Sequence, residues 1–243
     1  MSEKNNIALI GSGAIGKQYP LALAEFSNQI WACEPNWLET AKNVLLGIRE
    51  ADYIRRDATL EQEAITRIGT RLENTFYVSV IDNVAIFNII GGIIPRATYF
   101  SDYSGGASID RLTADLLTVL GNSLIDSILF VIDSPGGAVN GVAEFADLIY
   151  NANINKKKRV IGWTQNLAAS AGYWIISSCA QIIASETAEL GSIGVQAQYV
   201  DRSKYYDEMG VKVHTFKSKH AKNKNLDPTS AEGKAEIERL LTE

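Results

Sequence analysis

The chain has 243 residues, 46% hydrophobic and 21% charged, with a formal net charge of −5. That length can bury a sizeable core as one large domain or as a domain with an appendage. The acidic balance argues against a general nucleic-acid surface, and no apolar run reaches the roughly 18 residues of a membrane span. The opening "MSEKNNIALIGSG" lacks the basic and apolar regions of a secretory signal. Cys33 and Cys179 lie far apart without metal-type spacing, so no metal or other cofactor is expected, and a reducing, cytoplasmic setting is.

Residues 1–75 read as an N-terminal helical arm ahead of a main domain over 76–243. "IALIGSGAIG" (7–16) matches G-x-G-x-x-G through Gly11, Gly13 and Gly16, and Glu34 follows at a distance suited to a ribose contact. Pro20 interrupts the helix that fingerprint requires, and no β-α-β alternation follows before residue 77, so the segment is assigned to the arm. "NWLETAKNVLLGI" sets Trp37, Leu38, Ala41, Val44, Leu45 and Ile48 at helical spacing, with Asn36 and Glu39 forming a capping box behind Pro35. "TLEQEAITRIGTRL" predicts a second helix.

From Tyr77 the period changes. "YVSVIDNVAIFNII" predicts two strands around Asp82-Asn83, broken at Gly91-Gly92, and "SGGASIDRLTADLLTVLG" a loop and a helix stopped at Gly121. Alternation follows: strand "SILFVID", helix "AVNGVAEFADLIYNA", strand "RVIGWTQ", short helix "SAGYWIISSCA", strand "QIIAS". Apolar strands separated by helices predict a parallel sheet covered on both faces. "SKYYDEMG" predicts a helix closed by Gly210, "VKVHTFKS" a strand, and "SAEGKAEIERLLTE" a last helix.

Two loops leave carboxyl ends of neighbouring strands, the edge where sites form in such sheets. "DSPGGAV" carries Gly136 and Gly137, read as opening a helix, whose backbone N–H groups can turn towards a developing oxyanion. Each such donor is worth about 3–4 kcal/mol in known cases. "NLAASAG" carries Ser170 at the start of the next helix. The plain alternatives are a Pro-Gly-Gly turn and an N-cap serine. Asp133 is expected to hold the loop, Cys179 to sit in the core, Tyr173 and Trp174 in core or rim, and His214 in a strand.

"FVIDSPGGAVNG", "AASAGYWI", "GSIGV" and "KSKHAKNKN", in this order, resemble the signal-peptide-peptidase-A family of serine peptidases. The resemblance spans roughly residues 77 to 235 and implies a Clp protease/crotonase-like α/β fold of repeated β-β-α units. "YPLALAEFSNQIWACEPNWLETAKNVL" is similar to the phage and prophage branch, whose members act as prohead or capsid-maturation proteases.

That family uses a serine–lysine dyad, which answers what could take the Ser170 proton. A lysine serves as base once burial and nearby positive charge lower its pKa from about 10.4. Lys217, Lys219, Lys222 and Lys224 are available, and counting from Lys217-Ser218 selects Lys222. Lys219 stands where the family has glycine and stays a rival. The resemblance then implies Ser170 as nucleophile, Lys222 as base, and an oxyanion hole from Gly137 and Ala171 with Gly136. His220 and Ser192 could line the site. Expected partners are a peptide or protein substrate, phage scaffold or capsid proteins, and other copies of the chain in a ring that can share the dyad. Family members continue further, which implies a truncated C-terminus. Three alternatives stay open: signal-peptide-peptidase-like degradation of peptides, a crotonase-type acyl-CoA enzyme, and a non-catalytic assembly scaffold.

Overall fold

A computed structural model describes residues 31–33, 69–97, 106–155, 157–199, 201, 203–212, 214–221 and 224–242. The G-x-G-x-x-G segment and the helix predicted from Asn36 lie outside these residues. So does most of the helix predicted from Thr59, but its end is described and is not helical. Thr70–Arg71 is a short strand, following Gly69 at φ 94°. A φ in that region is open to glycine and ends helical geometry.

The described elements run as strands β1 (Trp31–Cys33), β2 (Thr70–Arg71), β3 (Val78–Ile81), β4 (Val84–Ile90), β5 (Ile93–Ile94) and β6 (Ala107–Ser108), then helix α1 (Ile109–Gly121). Next come β7 (Ser127–Asp133), β8 (Gly136–Ala138), α2 (Val142–Ile154), β9 (Arg159–Thr164), β10 (Leu167–Ala169), α3 (Ala171–Ser177), β11 (Gln181–Ala184) and β12 (Glu189–Gly191). Helices α4 (Ser203–Glu208) and α5 (Ala231–Thr242) follow. Two compact units divide the chain, residues 1–195 and 196–243.

Within the first unit the main sheet has six strands in the order β11-β9-β7-β4-β3-β2. β4, β7, β9 and β11 run parallel, and the β3 hairpin closes one side antiparallel. The expected alternation is therefore present. β7 and β9 are each followed by a short strand outside the main sheet and then a helix: β7-β8-α2 and β9-β10-α3 are successive copies of one β-β-α unit. The short strands form β1-β8-β5-β6 and β10-β12.

Two expectations need correction. Gly136 and Gly137 lie in strand β8, and α2 begins later, after Gly141 at φ 84°. The main sheet is also not equally covered on its two faces. In β7, Ile128, Phe130 and Ile132 are buried while the alternate positions are only partly so. The buried face packs against Leu112 and Leu116 of α1, Phe145 and Ile149 of α2, and Ile175 and Ile176 of α3. A pattern of continuous apolar residues cannot distinguish a strand covered twice from one covered once.

At the centre, the Phe130 ring lies 4.7 Å from Phe87 and 6.0 Å from Phe145, the latter edge-on. Asp115 is buried on α1 and accepts the N–H groups of Phe76 and Tyr77, tying that helix to the start of β3. Burial pushes its carboxyl above the usual range, against the lowering effect of these N–H groups. Lys158 Nζ donates to the Asn122 carbonyl at the α1 C-terminus at 2.8 Å.

In the second unit, the strand expected over residues 211–218 is not formed at its described positions, which have no regular structure. α4 ends before Gly210 at φ 68°, as the sequence predicts, and α5 matches the predicted last helix. Phe130→Ala should lower unfolding free energy by about 3–5 kcal/mol, because it empties the middle of the aromatic cluster. Urea titration followed by circular dichroism measures this.

Candidate active site

The two loops meet, as their positions on adjacent strands require. Ser134 donates its N–H to the Leu167 carbonyl at 2.9 Å and accepts the Ala169 N–H at 3.0 Å. The loop after β7 is thus zipped to β10, one residue before Ser170. Asp133 acts as the expected brace: its carboxylate accepts Asn166 Nδ2 at 2.9 Å and its carbonyl accepts the Gly91 N–H at 2.9 Å.

Ser170 joins β10 to α3 with φ 53° and ψ −115°. Those angles are near the first central position of a type II′ turn, about (+60°, −120°), where glycine is usual. A non-glycine residue there is strained, and nucleophilic serines are known to sit on sharp strand-to-helix turns of this kind. The plain N-cap reading fails on geometry, since the Ser170 hydroxyl makes no capping bond to α3. Its N–H donates to the Gly191 carbonyl at 2.7 Å and its carbonyl accepts the Trp174 N–H at 2.8 Å. Ser170 is 94% buried by this packing, being 6% exposed. Ala171 opens α3, so its N–H belongs to the first turn, where no intrahelical acceptor exists.

β8 lies against α3. Its two glycines have backbone reasons to be glycine. Gly136 adopts φ 98°, and a Cβ on Gly137 would lie 1.8 Å from the Ile93 carbonyl oxygen. The Gly136 N–H is already donated, to Ser134 Oγ at 3.1 Å, and Ser134 Oγ in turn donates to the Gly91 carbonyl at 2.7 Å. Of the three amides singled out from sequence, Gly136 is therefore engaged within the loop. Gly172 permits α3 to approach this loop, since a Cβ there would meet Ser134 Cβ at 3.2 Å.

The lysine run belongs to the second unit. Lys222 lies outside the described residues. Lys219 and His220 form an exposed turn, and Lys217 Nζ donates to the Asn225 carbonyl at 2.8 Å. His214 is exposed and outside any strand. Cys179 packs against the core as expected, and burial pushes its thiol up to about 12. Trp174 is on the rim, 39% exposed. Ser192 is exposed at φ 54°.

Sequence reasoning missed two things here. Ser134, fully buried, organises the glycine loop, and its signal was a serine directly ahead of Pro-Gly-Gly. β1 pairs with β8, for which nothing in the local pattern gave warning. Among the described residues, no cluster of three or more His, Cys, Asp or Glu could hold a metal, and no helix is long and apolar enough to cross a membrane.

Residues 152–243 match the model of Peptidase family S49. The chain is similar to capsid assembly protease C of Escherichia phage lambda, 27% identical over 69% of this chain and 39% of that protein. It is also similar to a putative signal peptide peptidase SppA of Enterococcus faecium, 33% identical over 39% of this chain and 27% of that protein. The chain thus spans well under half the length of these curated relatives. A ClpP1 mutant from Listeria monocytogenes is a similar solved structure, with 23% identity and a TM-score of 0.30 over 39% of this chain and 46% of that chain.

Because Ser170 holds a glycine-like backbone, Ser170→Gly should raise the unfolding free energy by about 1 kcal/mol over Ser170→Ala. Thermal melts of the two variants provide the comparison, and an alanine variant of equal stability would refute the strain.

Proposed function

We propose that this chain, whose residues 152–243 match Peptidase family S49, is a serine endopeptidase with Ser170 as nucleophile and Lys222 as general base. The observation that carries this reading is the glycine-like backbone of Ser170, φ 53° and ψ −115°, which a capping or packing serine has no reason to adopt. Ser170 Oγ attacks the carbonyl carbon of a peptide bond, and Lys222 Nζ accepts the hydroxyl proton. The tetrahedral oxyanion takes hydrogen bonds from the N–H groups of Ala171 and, once its pairing within the short sheet gives way, Gly137. Gly136 joins them only by releasing Ser134 Oγ. Lys222 returns the proton to the leaving amine, and water then hydrolyses the acyl-enzyme by the same steps in reverse.

The similarity to capsid assembly protease C of phage lambda supports a phage or prophage capsid or scaffold protein as substrate. Assembly with further copies of the chain is supported by strand β11, an edge strand exposed at every position, with Ile182 39% and Ile183 45% exposed. An apolar edge of this kind calls for a partner.

A fluorophosphonate probe should label the full chain, and Ser170→Ala should abolish both labelling and cleavage while leaving the circular dichroism spectrum unchanged. Lys222→Ala should lower kcat/KM by about 10²–10⁴-fold, with Lys219→Ala near wild type. The opposite ranking would move the base to Lys219. Ile183→Glu should reduce the mass found by light scattering, and an unchanged mass would remove β11 from the interface.

A further inference from the structure

A β-strand offers two hydrogen-bonding edges, and both edges of β8 are filled from within this chain. β5 pairs along one. Along the other runs β1, antiparallel, with Cys33 opposite Gly136, Ala32 opposite Gly137 and Trp31 opposite Ala138. β8 carries Gly136 and Gly137 and lies against α3, the helix that Ser170 precedes. An extended peptide that reached Ser170 by adding to this short sheet would need the edge that β1 holds, because the β5 edge is closed by backbone contact at Gly137.

We propose that Trp31–Cys33 is an in-chain occupant of the peptide-binding edge of β8, a competitor that an extended polypeptide must displace. This rests on the reading of Ser170 as the nucleophile of a peptide-cutting site. The pairing has features suited to exchange. It covers three residues, too few for a ladder that seals the site. Its antiparallel backbone bonds are those that a peptide of almost any sequence can reproduce. Its attachment to the same chain keeps it at high local concentration, so it lowers the apparent affinity for an incoming strand without itself binding tightly. A segment docked about nine-tenths of the time lowers that affinity about tenfold.

The test uses the full chain carrying Ser170→Ala, so that nothing is cut. The probe is a fluorescein-labelled peptide, NQIWACEPN, copying residues 28–36, and its binding is followed by anisotropy. Ala32→Pro with Cys33→Pro removes two adjacent N–H groups, one of which must face β8. This variant should bind the probe about tenfold more tightly than its parent. A second pair, Trp31→Cys with Ala138→Cys in a Cys33→Ser background, should form a disulfide on oxidation, abolish probe binding, and recover it on reduction. Equal affinity of parent and proline variant overturns the proposal. Should the proline variant lose its circular dichroism signal, the cross-link decides, and failure to form it in a folded chain likewise overturns the proposal. Fluorophosphonate labelling of the chain with Ser170 intact reports separately on the peptidase reading. Strand displacement without labelling would refute the chemistry alone.

Discussion

The backbone turn at Ser170 is the constraint on which the first unit depends. An L-residue at φ 53° and ψ −115° costs about 1–3 kcal/mol, and such conformations persist only where the surroundings over-determine them. Here the surroundings do so from three directions. The Gly191 carbonyl holds the Ser170 amide, the first turn of α3 holds its carbonyl, and the Ser134 carbonyl fixes Ala169 just before it. Remove any one, and the chain has room to relax to an ordinary strand-to-helix connection.

That arrangement explains the division of the β-β-α unit. The long strands carry the apolar burial, with Phe87 and Phe130 at the centre against Phe145 of α2. The short strands β8 and β10 begin where the long ones end and contribute little apolar area of their own. Their residues are Gly, Ala and Leu. Small side chains let backbones come close enough for Ser134 to bond Ala169, and for α3 to approach the loop at Gly172. The polar chemistry therefore rests on a layer that the hydrophobic layer beneath positions.

Much of this was legible from residues alone. The Asp82-Asn83 hairpin, the strand at 127–133, the strand at 159–164 and the α3 serine all follow from apolar periodicity and turn residues, which are local signals. The convergence of the two loops was legible too, because one intervening helix places two parallel strands side by side. What escaped was non-local. Gly136-Gly137 reads as a helix opening until β5 is seen to pair with it. Thr70–Arg71 reads as the end of a helix until β3 offers it an edge. The exposure of β11 reads as burial, because an apolar run carries no information about what covers it. The lysine run shows the same limit, since spacing can rank its members but cannot bring one to the serine.

The close approach at Gly137 has an evolutionary corollary. With the Ile93 carbonyl oxygen 1.8 Å from where a Cβ would sit, no side chain is tolerated there, whether or not the chain cuts anything. A relative with a different chemistry would keep this glycine for as long as it kept the fold. That signature therefore dates the architecture, not the activity. The turn two strands later differs: Ser170 stands there at glycine-like angles although no backbone contact requires a side chain at that position.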